Sequence, residues 1–198
     1  MLLSERPFQI ALLLSLLAFL AVRAYYRQKT GTLRLDFSRS QDSRMMRLFL
    51  VVLSMPALAM LAWLINPDWM WWSAVALAEG VRWIGAGMVV VGLALLIWSH
   101  QTLDTSFSGN LEVREQHKLV TTGPYHWIRH PIYSAILLWS AGLALITASW
   151  VVGLIPVAFT VFFMARVPNE ERMMMEAFGD AYRANMKQTG RFLPRVPD

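Results

Sequence analysis

The sequence predicts an all-α fold: an integral membrane bundle of five transmembrane helices, the last two a helical hairpin, followed by a cytoplasmic C-terminal amphipathic helix. Three observations lead there. Of the 198 residues, 56% are hydrophobic and only 16% are charged, against a usual charged share of about 25%. Mean hydropathy is +0.42, too high for a disordered chain. The charges lie in blocks between long uncharged runs, as in a chain that crosses a bilayer several times. The net charge of +5 therefore marks loops, not a nucleic-acid face. The absence of cysteine excludes disulfides, thiolate nucleophiles, iron–sulfur clusters and cysteine zinc sites.

The runs Pro7–Val22, Leu48–Asn66 and Trp83–Leu103 each suit one crossing, which needs about 20 residues. The first is completed by Arg23, whose charged end can reach the interface. Gly85, Ala86, Gly87 and Gly92 on the third run allow close helix approach. The run from Pro131 to Ala165 is too long for one crossing. As a single helix it would measure about 52 Å, against a hydrocarbon core of about 30 Å. It reads as two short helices with a turn near Thr147-Ala148-Ser149 and a bend at Pro156.

Orientation follows from Lys and Arg. The loop after the first run carries Arg27, Lys29, Arg34, Arg39, Arg44 and Arg47, whereas the segment 66–80 carries none and ends in Glu79-Gly80. The basic loop, the 104–130 segment and the tail from Arg166 are expected in the cytoplasm, and the N-terminus outside. Trp69, Trp71 and Trp72 would then form an outer aromatic belt. The chain divides into an N-terminal two-span region (1–82) and a catalytic membrane region with its cytoplasmic tail (83–198).

Two polar segments carry the candidate chemistry. The first, 100–131, holds all four histidines, His100, His117, His126 and His130. They lack an H-E-x-x-H or other close zinc spacing, so no metal is assigned. Gly123-Pro124 marks a turn. Pro131 suits the first turn of the fourth span and biases His130 toward an extended backbone. Arg129 and His130 thus sit at the membrane edge beside a helix N-terminus, which favours an anionic group. In the second segment, Arg166-Val167-Pro168-Asn169-Glu170-Glu171, Asn169 suits an N-cap with acids in the first turn. The helix expected at about 170–186 places Met174, Ala177, Phe178, Ala181 and Tyr182 on one stripe, suited to the membrane surface. Met45, Met46 and Met173 to Met175 flank membrane ends, where soft side chains suit a lipid-lined groove. A hairpin over 131–165 returns Arg129 and Arg166 to one face of the bilayer, where they can line one pocket.

The runs His117-Lys118-Leu119-Val120-Thr121-Thr122-Gly123-Pro124-Tyr125, Arg129-His130-Pro131-Ile132-Tyr133, Arg166-x-x-x-Glu170-Glu171, Phe178-Gly179-Asp180-x-Tyr182 and Thr189-Gly190-Arg191-Phe192-Leu193-Pro194 together resemble the isoprenylcysteine carboxyl methyltransferase family. Phospholipid methyltransferases share part of the set. The resemblance covers about residues 100–195. It implies a membrane methyltransferase that uses S-adenosylmethionine without a soluble Rossmann domain. By motif, His117, Lys118, Leu119, Val120, Tyr125, His130, Pro131, Ile132 and Tyr133 look like cofactor contacts. Glu170 and Glu171 resemble the pair that grips the cofactor's amino-acid end, with Glu171 preferred. Arg129 and Arg166 look like the arginines nearest the acceptor carboxylate. Asn110 matches a cofactor position only weakly.

The residue types suit that chemistry. Glutamate pairs with an ammonium, and imidazole or backbone N–H groups with a carboxylate. An ionised carboxylate acceptor needs alignment and partial loss of water but no general base. An amine acceptor would need one, and Glu170 is the nearest candidate. The implied partners are the lipid bilayer and a lipid-like or prenylated small molecule. A phospholipid or other small amphiphile is the alternative acceptor. A nicotinamide-dependent sterol-type reductase is a second reading, which the His130-Pro131-x-Tyr133 form and the short chain disfavour. A scaffold or small transporter is a third, disfavoured because the spans hold almost no charge.

Overall fold

The computed structural model describes residues 2–29, 43–106 and 119–195, and every regular element among them is helical. The five helices are α1 (Leu2–Lys29), α2 (Ser43–Ile65), α3 (Glu79–Ser106), α4 (Pro131–Thr147) and α5 (Leu154–Gln188). Short 3₁₀ turns cover Pro67–Ser73 and Gly123–His126.

Each of the first three apolar runs becomes one helix that extends beyond it. Three stretches, Glu5–Lys29, Arg44–Ile65 and Glu79–Leu103, are long and apolar enough to cross a membrane. Their large side chains face outward: Leu14, Leu20, Val51, Leu58, Ile65, Ile84 and Val90 are all exposed. A stripe this wide needs an apolar solvent on the outside, so the chain is a multipass membrane protein. α4 is a shorter apolar helix of 17 residues.

The turn expected near residue 148 is present. Ala148 caps α4 in the left-handed region (φ 46°), and α5 starts at Leu154. The expectation at Pro156 is corrected: it falls in the first turn of α5, where proline costs no backbone bond and produces no bend. Pro168 does not begin a new helix either. α5 runs through it, so Asn169 lies in a helix interior and is not an N-cap. Val167 is 1% and Glu171 3% exposed; this packing on both sides outweighs the lost backbone bond. The interruption comes instead at Gly179 (φ 52°, ψ −125°). Only glycine adopts that conformation without strain, and no neighbouring atom crowds the position. It redirects residues 180–188.

α3 and α4 pack tightly through small residues. A Cβ added at Gly85 would lie 2.8 Å from the Gly142 carbonyl oxygen, and one at Gly92 would lie 2.8 Å from the Trp139 nitrogen. Gly87, expected in the same contact, faces open space. One core joins all five helices through Phe8, Leu12, Met60, Trp63, Val89, Trp139, Leu143, Ile146 and Ile155. Both regions of the predicted division contribute to it.

At one end of the bundle the 67–73 turn is tied to the α4–α5 turn. Ser73 Oγ and Ser149 Oγ lie 2.8 Å apart, and Trp150 donates its N–H to the Ser73 carbonyl. Trp69, Trp71, Trp72 and Trp150 are exposed there. Arg82 forms a two-pronged pair with Glu5 (2.9 and 2.6 Å) and also donates to the Ile146 carbonyl. Its guanidinium lies 3.7 Å from the centre of the Phe8 ring.

Candidate active site

The other polar cluster lies where α4 begins and α5 continues as a polar helix. The Gly123–His126 turn directs the chain into it. Gly123 has φ 55°, and a Cβ there would lie 2.4 Å from Thr102 Oγ1, so a larger residue would be strained and would displace Thr102. Pro131 opens α4, as the sequence predicts, but the extended backbone expected at His130 is not found: its φ of −123° is combined with a ψ of 58°, because its N–H is held by the Arg191 carbonyl and its own carbonyl already accepts from Ser134 N–H in the first turn of α4. Behind this segment runs the tail. Ile128 and Gly190 form a parallel bridge. Arg129 N–H donates to the Gly190 carbonyl (2.8 Å) and His130 N–H to that of Arg191 (3.0 Å). Ser134 Oγ donates to the Phe192 carbonyl.

A cavity of about 840 Å³ opens here. Arg129, His130, Tyr133 and Glu170 are among its polar residues; Leu103, Leu119, Val120, Ile132, Met174 and Phe178 supply much of its apolar wall. Tyr125, Pro131, Met173, Ala177, Tyr182 and Asn185 also line it. Of the stripe expected to lie on the membrane, Met174, Ala177, Phe178 and Tyr182 are cavity wall, and Ala181 is exposed outside it.

The two adjacent glutamates have different surroundings. Glu170 faces the cavity. Its Oε1 accepts from the Tyr133 hydroxyl (2.6 Å) and from Arg166 Nε (2.5 Å). Glu171 is not among the cavity-lining residues, and its side chain is 4% exposed. It accepts from Arg129 Nε (3.0 Å) and from Arg191 Nε and Nη2 (3.3 and 2.8 Å). Burial opposes its charge, but the hydrogen bonds and charges of Arg191 and Arg129 prevail and hold it below the usual carboxylate range. Arg129 Nη1 donates to the Met186 and Thr189 carbonyls.

His130 stands between the glutamates, with Nδ1 3.7 Å from Glu170 and Nε2 3.7 Å from Glu171. Neither contact is a hydrogen bond. Its Nε2 is buried with no hydrogen-bond partner. Burial lowers its pKa, the two glutamates oppose this, and Arg129 adds to it. The ring stacks on Tyr133, which stacks in turn on Phe163 at 4.0 Å. Burial also raises the phenol of Tyr125 above its ordinary value and pushes that of Tyr182 up to about 12.

Of the sequence-predicted residues, Leu119, Val120, Tyr125, Arg129, His130, Pro131, Ile132, Tyr133 and Glu170 meet at the cavity. Arg166 touches it through Glu170, and Glu171 lies behind Arg129. The two arginines, 37 positions apart, end on adjacent glutamates, as the hairpin requires. His117, Lys118 and Asn110 lie outside the described residues. The described histidines do not gather: His100 stacks on Tyr26 of α1, and His126 packs edge-on to Trp127. Sequence reasoning gave no role to Arg191, Asn185 or Thr189. The available signal was electrostatic: two neighbouring glutamates beside a membrane need more than one cation.

The profile of the isoprenylcysteine carboxyl methyltransferase (ICMT) family matches residues 84–176. A probable protein-S-isoprenylcysteine O-methyltransferase of Oryza sativa subsp. indica is 32% identical over 122 residues, 59% of this chain and 62% of that protein. Protein-S-isoprenylcysteine O-methyltransferase B of Arabidopsis thaliana is 36% identical over 104 residues, 50% of this chain and 51% of its own length. The chain thus spans about half to three-fifths of these relatives. The solved structure of the eukaryotic intramembrane Ras methyltransferase ICMT shares the fold, with a TM-score of 0.52 at 22% identity over 80% of this chain and 55% of that one. The ICMT region covers α4, nearly all of α3, and α5 through Glu176. It therefore includes Arg129, His130, Tyr133, Arg166 and both glutamates; Tyr182, Asn185 and Arg191 lie beyond it.

Proposed function

We propose that this chain is an S-adenosylmethionine-dependent methyltransferase whose acceptor is the carboxylate of an isoprenylcysteine-type lipid. The observation that carries the reading is the cavity itself. It combines apolar walls with one carboxylate, one guanidinium and an imidazole ring at the end of a membrane bundle. That donor set suits a zwitterionic cofactor. Glu170 faces inward and would hold the ammonium, and the His130 ring, whose Nδ1 is on the Glu170 side, would stand beside it. Glu171, preferred from the motif, serves this reading as the support of Arg129, because two guanidiniums already occupy it. The cofactor, when bound, supplies an electrophilic methyl group.

The protein's own work is then orientation and exclusion of water. Arg129 presents its guanidinium to the acceptor carboxylate, and Arg166, held by Glu170, stands beside it. Leu103, Ile132 and Met174 provide a dry wall, which raises the reactivity of an ionised carboxylate. An amine acceptor would require a proton acceptor. The cavity carboxylate, Glu170, already takes donors from Arg166 and Tyr133, which favours the carboxylate acceptor.

The reading also places the chain in the membrane. α1, α2, α3, α4 and the apolar first third of α5 make five crossings, the N-terminus is outside, and the cavity and C-terminal helix face the cytoplasm. The basic loop and tail support this orientation, as does the aromatic end formed by the exposed tryptophans. Purified protein incubated with methyl-labelled S-adenosylmethionine should label an N-acyl S-prenylcysteine but not phosphatidylethanolamine. Label in phosphatidylethanolamine alone, or oxidation of reduced nicotinamide with a sterol, would replace the proposal.

A further inference from the structure

We propose that Arg191 is a positioning residue that keeps the Arg129 guanidinium open to the cavity. This rests on the reading of Arg129 as the group that meets an acceptor carboxylate. Arg191 approaches Glu171 through the fork of Nε and Nη2, one nitrogen on each carboxylate oxygen (3.3 Å to Oε1, 2.8 Å to Oε2). That is the strong two-pronged geometry of a guanidinium–carboxylate pair. Arg129 meets the same carboxylate with Nε alone, at 3.0 Å on Oε1. Its Nη1 is taken by the Met186 and Thr189 carbonyls. Among the described residues its Nη2 has no hydrogen-bond partner, and Arg129 lines the cavity.

The consequence follows from competition for one carboxylate. A buried glutamate offered a single arginine would take it through both prongs, as Glu5 takes Arg82. For Arg129 the second prong would be Nη2, drawn away from the cavity. Arg191 prevents this by holding Oε2 itself. It also halves the negative charge per guanidinium at Glu171, so Arg129 keeps enough net positive character to attract an anion. Arg191 is well placed for the task. Its backbone carbonyl accepts the His130 N–H, which fixes it to the cavity segment. Its side chain is 49% exposed although its partner is 4% exposed, so it covers the buried carboxylate from the solvent side.

Arg191→Gln and Arg191→Lys are the test, each compared with wild type for thermal unfolding, for S-adenosylhomocysteine binding by calorimetry, and for the kcat and KM of an N-acyl S-prenylcysteine. The expected result for Arg191→Gln is an acceptor KM raised about tenfold, the worth of about 1.4 kcal/mol. Its cofactor affinity and kcat should stay near wild type, with little change in melting temperature. Arg191→Lys keeps the charge but not the fork and should recover only part of the loss. A purely structural Arg191 would lower the melting temperature and kcat and leave KM unchanged. A purely electrostatic one would be rescued in full by lysine. Either outcome overturns the proposal, as does an unaltered acceptor KM in Arg191→Gln. Absence of methyl transfer by the wild type would instead overturn the reading of the site, and this inference with it.

Discussion

The two ends of the bundle each hold an arginine paired with a glutamate, yet only one can bind anything more. At the tryptophan end, Glu5 and Arg82 satisfy each other through both prongs. The spare capacity of Arg82 goes to the Ile146 carbonyl and the Phe8 ring. At the cavity end, three arginines meet two glutamates, and each glutamate is shared. Glu171 divides itself between Arg129 and Arg191, and Glu170 between Arg166 and Tyr133. A closed pair is a staple; an unbalanced cluster retains cationic and hydrogen-bonding capacity. The same residue types thus form a closed pair at one end and a shared cluster beside a cavity at the other.

The comparison breaks first at Glu171. Its replacement by glutamine removes the countercharge of two guanidiniums at once, and Arg129, only 8% exposed, keeps just the neutral Met186 and Thr189 acceptors. The expected loss is about 3–5 kcal/mol of stability, read as a lowered unfolding temperature in detergent. Glu5→Gln should cost less, about 1.5–3 kcal/mol, because Arg82 keeps its carbonyl and ring contacts. It should leave methyl transfer intact. Equal losses at the two ends would erase the distinction.

Next in size is Arg166→Lys. It keeps the charge and the positive-inside bias but loses the planar fork. Turnover should fall about 10- to 100-fold, as for a misplaced reacting group, with S-adenosylhomocysteine affinity nearly unchanged. Tyr133→Phe should act on the other property. Removing the hydroxyl that Glu170 accepts frees that carboxylate to move, so cofactor affinity should weaken while the fold holds.

Acidification acts on the cavity end. Glu171 is held below the ordinary carboxylate range. Its contribution is complete above the unfolded value of about 4.3 and is lost as pH falls through the lower folded value. His130 is lowered by burial, so stability begins to fall once pH drops below the unfolded value of about 6.5. Both effects point the same way. Melting temperature should decline on acidification from near neutrality and again in the carboxylate range. The second decline should flatten in Glu171→Gln.

The smallest effect concerns α3. Gly85→Ala drives a methyl into the α4 backbone and should cost about 1–3 kcal/mol. Gly87→Ala, with nothing within 4 Å, should be neutral or slightly stabilising.

Much of this was legible in the sequence because hydrophobic length is a strong signal. The 131–165 run could not be one crossing, so the hairpin, and with it the meeting of Arg129 and Arg166, followed from arithmetic. Gly123-Pro124 and His130-Pro131 were legible because proline and glycine restrict the backbone locally. The course of α5 was not. Pro168 and Asn169 read as a helix start, but burial of Val167 and Glu171 decides there, and burial is a tertiary property. Gly179 looked like one more residue on a helix face, and no local pattern announced its positive φ. The unequal fates of Glu170 and Glu171 were hidden for the same reason. Neighbours on a helix point about 100° apart, and only the packed tail shows which one meets the cavity.

The cysteine-free sequence permits the most direct test of the central claim, that the cavity end alone binds the cofactor. Cysteines placed singly at Met174 on the cavity wall and at Trp72 on the tryptophan end can be modified by a thiol reagent with and without S-adenosylhomocysteine. The account predicts that the ligand slows modification at 174 strongly and leaves 72 unchanged. Equal rates at 174 with and without ligand, in protein shown by calorimetry to bind it, would place the cofactor elsewhere and contradict the account.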